Sequence, residues 1–522
     1  MKKYLRLITY IVPYGLAFFL TIIVSLNLAS AQIKAPNLVW SHLDLKQDTT
    51  FGVSKIQAYL YLKEQIAKPI IIAVIDGGAD ITHPALKNNI WTNSHEIPGN
   101  GKDDDDNGYI DDIHGWNFLG SKNGSFLYDN TDMVRNLRSA MKNNSKSNES
   151  QRLQSELQYK RKIVHNKVSM LKQEKEALDR ILSKFKDTRL SESKFRNYHY
   201  QTHIEENVII SIVNAYKNHS DVFALKKEME SRYDNYLEQL QYFYNINYDP
   251  RRGDEFKKRG YGNPDVNGIN PYHGTHVTGI IVGNDTNGTV PGIANNAKIM
   301  VLRAVGKGEF FDKDVALAIR YAADNGARII NMSVGKSTTR DALLIEEAVK
   351  YAMSKDVLIV HACGNEGKKL GAMQIYPNKK YSKGGEAESW IEVGASSYKN
   401  DERLICAVSN YGRDYVDIFA PGQNIYSCIP GGGYGYLTGT SMAAPLVSGI
   451  AATLMGYFPN LNSIEIKDAI MSSVVKVDHD VNTGFGEIIP FEDSCRSGGV
   501  INLLNAVQSL SKKFTGYLNE EQ

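Results

Sequence analysis

The 522-residue chain is poor in cysteine, with no Cys-x-x-Cys pair and no zinc-type spacing. So few cysteines in so long a chain cannot build a disulfide framework, which excludes the small disulfide-rich class of secreted protein. We interpret them as buried small apolar residues, with one or two disulfides possible in an oxidising compartment. They are Cys363, Cys406, Cys428 and Cys495.

The chain also lacks a charge bias, because 60 Lys and Arg residues face 58 Asp and Glu residues, for a formal net charge of +2. A balanced charge gives no reason to expect a nucleic acid or an anionic membrane as partner. With 42% apolar and 23% charged residues the composition is that of an ordinary globular protein. Its function must therefore come from local sites.

Outside the N-terminus there is no uninterrupted apolar run of membrane-spanning length. The N-terminus itself is basic, then apolar to Leu28, then small at Ala29 to Ala31, which is the layout of a secretory signal. We expect residues 1–31 to be removed, so that the mature chain starts at Gln32 and has no stable membrane span. An uncleaved anchor is the alternative. The protein is then periplasmic, attached to the cell surface or secreted.

Five apolar segments that suit strands buried on both faces alternate with helical patterns from Pro69 onward. This alternation predicts an α/β domain with a doubly wound parallel sheet, whose ligand site lies at the carboxyl ends of the strands. We expect residues 32–68 to be an N-terminal extension, 69–132 and 248–510 to form the domain in two parts, and 511–522 to be a tail. Asp76, Ser333 and Asn365 then lie on one rim of the sheet.

Residues 133–247 interrupt this rhythm, being rich in Lys, Glu, Gln and Asn with apolar residues at helical spacing. Leu157, Val164, Leu171, Leu178 and Phe185 recur every seventh residue, and a second stripe follows between Val222 and Phe243. Two amphipathic helices of this kind can pair as an antiparallel hairpin. The segment is therefore predicted to be a helical hairpin insertion, with residues 143–149 as a mobile tip. It carries no motif that we can assign.

Three motifs carry chemistry, in the order Asp, His, Ser. Asp76 ends a buried strand, His273 opens the segment His-Gly-Thr-His276-Val-Thr-Gly, and Ser441 lies in Gly-Thr-Ser-Met-Ala-Ala-Pro before an apolar helix. Each has a plainer interpretation, namely a strand-end carboxylate, a helix-start histidine and a helix-capping serine. A metal site on His273 and His276 lacks a nearby third ligand.

Together the three motifs resemble the subtilisin-like serine peptidases, or subtilases, over roughly residues 69–128 and 248–507. The resemblance implies a three-layer α/β/α fold and a triad in which Ser441 attacks the scissile carbonyl of a peptide or protein substrate. His273 would act as general base and then acid, and Asp76 would orient it. No cofactor is expected for catalysis.

The same resemblance extends to further residues of the site. His361-Ala-Cys-Gly-Asn365 is similar to the turn whose asparagine donates to the oxyanion, so Asn365 is implied in that role. Ser333, Val334 and Gly335 match the segment that pairs with substrate backbone and walls the first specificity pocket. Gly306 and Gly308 match the opposite wall, so a substrate would lie between two strands.

The chain departs from well-known secreted subtilisins in two ways. Asp76 and His273 are 197 residues apart, and the helical insertion lies between them. The stretch from Gln32 to Asp76 is too short for the usual inhibitory propeptide together with the first elements of the domain. In the segments Trp40 to Lys46 and Asn107 to Asp112 the chain is similar to subtilases of Bacteroidetes.

An acidic run from Asp103 to Asp112 is the metal candidate. Oxygen-bearing side chains at Asp103, Asp105 and Asn107, followed by Gly108, match the start of an EF-hand-type calcium loop. His114 stands where that loop has glutamate, and Asp111 or Asp112 could supply the missing oxygen. We predict a structural Ca²⁺ here, with an exposed acidic turn as the alternative.

Two rival functions use the same groove. A catalytically silent peptide-binding protein would need the motif residues for shape only, and a processing peptidase dedicated to one partner would use the insertion for recognition. The sequence makes no prediction of oligomeric state or of the preferred cleavage site.

Overall fold

The computed structural model describes residues 37–185, 190–218, 220–285, 288 and 290–520. The predicted signal at 1–31 lies outside these ranges. Fifteen strands are described, and in chain order they are β1 Ile70–Asp76, β2 Gly115–Asn117, β3 Gly120–Ser121, β4 Gly124–Ser125, β5 Ala297–Arg303, β6 Ile329–Met332, β7 Leu358–Ala362, β8 Trp390–Ser396, β9 Ile418–Pro421, β10 Ile425–Ile429, β11 Gly433–Leu437, β12 Val475–Lys476, β13 Asp480–Asn482, β14 Ile488–Pro490 and β15 Gly499–Val500.

The α-helices of the described residues are numbered in the same way. They are α1 Leu45–Asp48, α2 Lys55–Tyr61, α3 Asp132–Asn144, α4 Asn148–Ser183, α5 Glu192–Arg196, α6 His203–Lys217, α7 Val222–Glu238, α8 Tyr272–Val282, α9 Asp312–Asp324, α10 Ala342–Ser354, α11 Thr440–Tyr457, α12 Ser463–Ser472 and α13 Leu503–Glu520. A π-helical turn, Gln239–Phe243, follows α7 directly.

Nine strands form one sheet in the order β12-β15-β9-β8-β7-β6-β1-β5-β2. Every pair is parallel except β12 with β15. The strand β1 lies between β5 and β6, so the chain order reverses beside it, and this is where ligands bind in such sheets. Asp76 is the last residue of β1 and is therefore at the expected rim.

Helices cover both faces of this sheet. On one face α8, α11, α12 and α13 pack into a large apolar cluster, and on the other α9 and α10 pack into a second. The runs predicted to be strands are buried on both faces, as a central parallel sheet requires. The predicted three-layer α/β/α fold is confirmed.

The insertion is helical, and α4 and α7 pack against each other as a pair. It contains three further helices, α3, α5 and α6. The polar residues 143–149 do not form the end of the long hairpin, contrary to the sequence interpretation. They include the short turn between α3 and α4, where the Ser147 hydroxyl accepts a hydrogen bond from the Ser150 N–H and so caps α4.

Three smaller predictions concern the rest of the chain. All four cysteines are buried and free, so neither of the possible disulfides is present. No helix within the described ranges is long and apolar enough to span a bilayer. The predicted boundary at residue 510 falls inside α13, whose residues Leu503, Ala506, Val507 and Leu510 are buried in the large apolar cluster.

Candidate active site

Asp76 and His273 are brought together at the carboxyl end of β1. The His273 Nδ1 atom lies 2.8 Å from Asp76 Oδ2 and 3.0 Å from Oδ1. The two elements can approach this closely because Gly274 follows the histidine. A Cβ atom on Gly274 would lie 2.1 Å from the Gly78 carbonyl oxygen. The glycine is therefore required by the contact between the start of α8 and the end of β1.

The two neighbouring histidines of α8 have opposite electrostatic environments. Burial lowers the pKa of His273, but the charge of Asp76 and its hydrogen bond outweigh this and hold the pKa above its ordinary value. Burial lowers the pKa of His276 to about 3. His276 Nε2 lies 3.0 Å from the Ile425 carbonyl oxygen in the core. His276 is thus a neutral packing residue, and the pair does not form a metal site.

Ser441 is the second residue of α11, and its side chain is half-buried. The first N–H groups of a helix have no acceptor within the helix, so the Ser441 N–H is available to a ligand. The hydroxyl donates a hydrogen bond to the Ser333 carbonyl oxygen at 3.1 Å. In return the Ser333 hydroxyl donates to the Ser441 carbonyl oxygen at 2.9 Å.

Asn365 lies against the same helix start. Its side-chain oxygen accepts hydrogen bonds from the Thr440 N–H at 2.8 Å and the Thr440 hydroxyl at 3.1 Å. This bonding fixes the carboxamide by its oxygen and leaves the NH₂ end as a donor beside Ser441. Gly439 has φ of +151°, and a Cβ there would come within 3.0 Å of the Asn365 oxygen.

The predicted substrate wall at Gly306 and Gly308 is supported from behind through Lys307. The Lys307 N–H donates to the Leu127 carbonyl oxygen and the Lys307 carbonyl oxygen accepts from the Asp129 N–H, both at 2.7 Å. Successive residues of an extended chain direct their backbone groups to opposite edges. Gly306 therefore presents its groups to the other edge. Gly308 has φ of +118° and departs from extended backbone, and neither glycine makes a backbone hydrogen bond within the described ranges.

The opposite wall, Ser333 to Gly335, continues from the end of β6. Beyond it Lys336 exchanges two backbone hydrogen bonds with Tyr376, at 2.8 and 2.9 Å. The Gly335 backbone makes no hydrogen bond in the part of the chain that the structure describes. The two walls thus each offer free backbone groups for an extended ligand.

Two asparagines organise this site. Asn331 donates to the Ser333 hydroxyl at 3.1 Å and accepts from the Ser448 hydroxyl at 2.9 Å, which ties β6 to α11. Asn410 donates to the Cys363 carbonyl oxygen at 2.9 Å and accepts from the Lys368 N–H at 3.0 Å. It thereby fixes the turn that carries Asn365. Asn331 lies two residues before Ser333 of the predicted substrate wall, whereas Asn410 belongs to no motif, because its partners Cys363 and Lys368 are 47 and 42 positions away in sequence.

The acidic run divides into two groups. Asp103 accepts from the N–H groups of Asn107 and Gly108, and Asp111 accepts from those of Asn100 and Gly101, so both carboxylates bind the backbone of their own loop. Asn107 donates to Asp112 Oδ2 at 3.0 Å.

Asp105 and Asp112 instead meet Glu96, with one oxygen of each within 4.8 Å of the others. Burial raises the pKa values of Glu96 and Asp112. Glu96 was missed because it precedes the motif by seven residues. The three clustered carboxylates fit a divalent cation such as Ca²⁺, whose preferred ligands are carboxylate oxygens. His114 contacts the Trp91 carbonyl oxygen at 2.8 Å and belongs to neither group.

A buried ionic cluster lies behind both predicted substrate walls, where the insertion joins the domain. Lys336 is 1% exposed and contacts Asp132 at 2.5 Å and Asp312 at 2.8 Å. Its ammonium group also donates to the Phe310 carbonyl oxygen at 3.0 Å. Arg135 of α3 pairs with Asp132 at 2.5 Å and donates to the Glu309 carbonyl oxygen. The start of the insertion is thus bonded to both walls at once.

Comparison with known proteins identifies the class. A sequence model of the subtilase family matches residues 67–487. The chain therefore belongs to the subtilase family, as its motifs, its sheet and the arrangement at the end of β1 indicate.

Individual relatives match only part of the chain. The chain is 36% identical over 258 residues to the thermophilic serine proteinase of Bacillus sp. strain AK1, a match that spans 49% of this chain and 56% of that protein. Subtilisin DY of Bacillus licheniformis is 33% identical over 230 residues, which are 43% of this chain and 77% of that one. A structure of the subtilase cytotoxin SubAB has 26% identity and a TM-score of 0.40, and the match covers 48% of this chain and 80% of that one.

The chain spans just over half the length of the first two curated relatives that it matches. The predicted similarity to subtilases of Bacteroidetes stays a prediction.

Proposed function

We propose that this protein is an exported serine endopeptidase that cleaves peptide bonds through an acyl-enzyme. The observation that carries this proposal is the Asp76–His273 pair at 2.8 Å, at the rim where α11 begins with Thr440 and Ser441. In the proposed reaction the Ser441 hydroxyl leaves the Ser333 carbonyl and turns to the free Nε2 atom of His273. The imidazole takes the proton as the oxygen attacks the scissile carbonyl, and Asp76 stabilises the resulting imidazolium.

The developing oxyanion would be received by two donors, the Ser441 N–H and the Asn365 NH₂. Donors that are fixed before the reaction act on the transition state without a cost of reorganisation. The hydrogen bonds from Thr440 fix Asn365 in this way. His273 then returns its proton to the leaving amine, and water releases the acyl group by the same steps in reverse. The substrate backbone would pair with Ser333 and Gly335 on one side and with Gly306 and Gly308 on the other.

A fluorophosphonate probe tests the nucleophile. We expect labelling of Ser441, identified by peptide mass spectrometry, and its loss in Ser441→Ala. Hydrolysis should fall by roughly 10⁶ in kcat, the effect of the corresponding change in a subtilisin of the same family. The exposed serine of α12 gives a matched control, Ser472→Ala, which should label fully. An unlabelled but folded wild type would favour the peptide-binding alternative.

The pH profile tests His273. The general base must be neutral, and the pKa of His273 is held above its ordinary value of 6.5 by Asp76. Activity should therefore fall as the pH drops, with the half-maximal point of kcat/KM above 6.5. Asp76→Asn should lower the pH at which kcat/KM is half-maximal and should also reduce the maximal kcat/KM. An acid limb that Asp76→Asn leaves unmoved would contradict the assignment.

Export is tested by the N-terminus of the mature protein. The basic and apolar N-terminus with small residues before Gln32 supports cleavage after Ala31. N-terminal sequencing from the native host should read Gln32 onward and find the protein outside the cytoplasm. An intact Met1 in a membrane fraction would favour the anchor.

We also propose a structural Ca²⁺ held by Glu96, Asp105 and Asp112, with no part in the chemistry. Three carboxylates this close repel each other, so a bound cation stabilises the folded state. EDTA should lower the melting temperature and Ca²⁺ should restore it. Glu96→Gln should abolish the calcium-dependent rise. Exposed Glu64, far from the loop in sequence, supplies the control Glu64→Gln.

A further inference from the structure

His361 is a buried, ionisable residue to which the proposed mechanism gives no part. It lies in β7, four residues before Asn365, and its side chain is fully buried. Its Nε2 atom is 2.7 Å from the Val334 carbonyl oxygen, and its Nδ1 atom is 2.8 Å from Glu392 Oε1. The other oxygen of Glu392 accepts from the Trp390 indole N–H at 2.8 Å. A complete buried hydrogen-bond chain therefore ends on the middle residue of one substrate wall.

The Val334 carbonyl group needs this partner because the sheet ends just before it. The pairing of β6 with β7 stops at Met332 opposite His361. A backbone carbonyl that is removed from water without a hydrogen-bond partner costs free energy. The imidazole replaces the missing strand and holds Val334 from behind.

Fixing Val334 also fixes its two neighbours. In extended backbone the groups of alternate residues face opposite edges. With the Val334 carbonyl oxygen bonded toward β7, Ser333 and Gly335 must direct their carbonyl groups toward the cleft. The Ser333 carbonyl oxygen does face Ser441, because it accepts a hydrogen bond from the Ser441 hydroxyl at 3.1 Å.

We propose that His361 is a positioning residue for substrate binding, which through the Val334 carbonyl aligns Ser333 and Gly335 for pairing with an extended peptide. This inference rests on the proposed function, since it assumes that the substrate pairs with this wall. It predicts that His361 matters more for long peptides than for short ones, because only long peptides use the whole wall.

The hydrogen bonds around His361 supply a matched control. The Val334 carbonyl oxygen can only accept, so Nε2 must donate, and one further proton is shared between Nδ1 and Glu392. In Glu392→Gln the amide NH₂ can donate to Nδ1 while its oxygen still accepts from Trp390. Every hydrogen bond is then kept without any charge. This variant should keep kcat/KM close to wild type.

The test variant is His361→Phe in the Glu392→Gln background, which removes the donor to Val334 without leaving a buried charge unpaired. The substrates are a chromogenic ester of one amino acid and a chromogenic tetrapeptide. We expect kcat/KM on the tetrapeptide to fall at least tenfold, mainly through KM, with less than a threefold change on the ester. His361→Gln in the same background, which retains an amide donor, should recover most of the loss. An unchanged ratio between the two substrates in the folded Phe variant would overturn the proposal.

A measurement on unmodified His361 covers the case in which the Phe variant does not fold. In protein labelled with ¹⁵N-histidine and carrying Ser441→Ala, the His361 Nε2 atom should bear a proton and its signal should shift when the tetrapeptide binds. An unprotonated Nε2 atom, or a signal that saturating peptide leaves unmoved, would overturn the inference. Fluorophosphonate labelling and ester hydrolysis report on the proposed function separately, so the two failures are distinguishable.

Discussion

The two ends of the helical insertion are built differently. The end next to the domain, which we call the base, comprises α3, α4 up to Val168, the end of α7 from Tyr236 and the π-helical turn. It has an apolar cluster that includes Val134, Leu137 and Phe243. The far end, which we call the tip, comprises the rest of α4 with α5, α6 and the rest of α7. It has a separate apolar cluster around Leu178, Phe195 and Ile212.

The charged groups of the two ends differ even more. At the base, Arg135 is 6% exposed and pairs with Asp129 and Asp132, which are 3% exposed. Arg251, on the returning chain, is 9% exposed and pairs with Asp129 and Asp314. At the tip, the Lys226–Asp179 pair is open to solvent. Removing one partner of a buried ion pair strongly lowers the free energy of unfolding, whereas an exposed pair contributes little to it.

The base also contacts one wall of the proposed substrate cleft directly. Glu238, the last residue of α7, accepts hydrogen bonds from Lys307 at 2.8 Å and from the Tyr128 hydroxyl at 2.9 Å. The Tyr128 ring stacks on Tyr242 with centroids 3.9 Å apart. Lys307 lies between Gly306 and Gly308, so this contact reaches the proposed substrate wall. We infer that the base is part of the peptidase domain and that the tip is an accessory module.

The largest effect should come from breaking the ionic cluster of the base. Arg135→Met removes one of the two cationic partners of both Asp129 and Asp132, which leaves buried negative charge uncompensated, so the free energy of unfolding should fall by about 3–5 kcal/mol. The matched change at the tip, Arg180→Met, removes a guanidinium that is 55% exposed, and should cost less than about 1 kcal/mol. Urea unfolding of both variants measures the difference. Equal losses would mean that the base is no better integrated than the tip.

The contacts of the base could not be predicted from the sequence, although its helices could. The seven-residue spacing of Leu157, Val164, Leu171 and Leu178 predicted α4, because a helix stripe is a local pattern. The contact of Lys336 with Asp132 joins residues about 200 positions apart, and no local pattern encodes it. The predicted self-contained hairpin therefore lacked its most important bonds.

The same distinction holds at the candidate site. Asp76, His273, Ser441 and Asn365 stand in motifs, so their positions followed from a resemblance. Glu96 stands in no motif, and His361 stands in the Asn365 segment without a role implied by the resemblance; each acquires its partners only when separate segments fold together. The short strands β2 and β15 were missed as well, because two or three residues give no periodicity.

A cavity in the tip should destabilise the tip alone. Ile212 is fully buried in the tip cluster, so Ile212→Ala should cost about 2–5 kcal/mol. Because that cluster is separate, hydrogen exchange should rise in α5, α6 and α7 but not in α3, and kcat/KM should stay within twofold. Leu137→Ala is the counterpart in the base and should raise KM. Exchange that rises equally in α3 for Ile212→Ala would show that the insertion unfolds as one unit.

Shortening the hairpin tests whether the tip is dispensable. The Lys226 ammonium donates to Asp179, and the Lys175 ammonium lies over the Tyr233 ring. The helices α4 and α7 therefore run side by side there. Replacing residues 172–232 by a four-residue turn keeps Glu238 and the base cluster, and hydrolysis of a short peptide should stay within about threefold. Replacing residues 143–245 removes Glu238 and Phe243, and should cost tenfold or more, about 1.4 kcal/mol in barrier. The shorter deletion should change which folded proteins are cut, and unchanged protein selectivity would contradict an accessory role.

The smallest effect concerns the partly exposed ion pair between Glu238 of the base and Lys307 of the proposed substrate wall. Lys307 is 37% exposed and Glu238 18% exposed, so solvent weakens their attraction and the pair contributes about 0.5–1 kcal/mol. Glu238→Gln can still accept from Tyr128 but loses its charge, so Lys307 becomes freer to move. We expect KM for an extended peptide to rise about twofold to threefold with kcat unchanged. In high salt the difference in KM between variant and wild type should vanish, because salt screens the wild-type pair as well. Asp179→Asn, which disrupts the exposed pair of the tip, should leave both constants at their wild-type values. If Asp179→Asn raised KM as much as Glu238→Gln does, the cleft would sense the whole insertion and not its base.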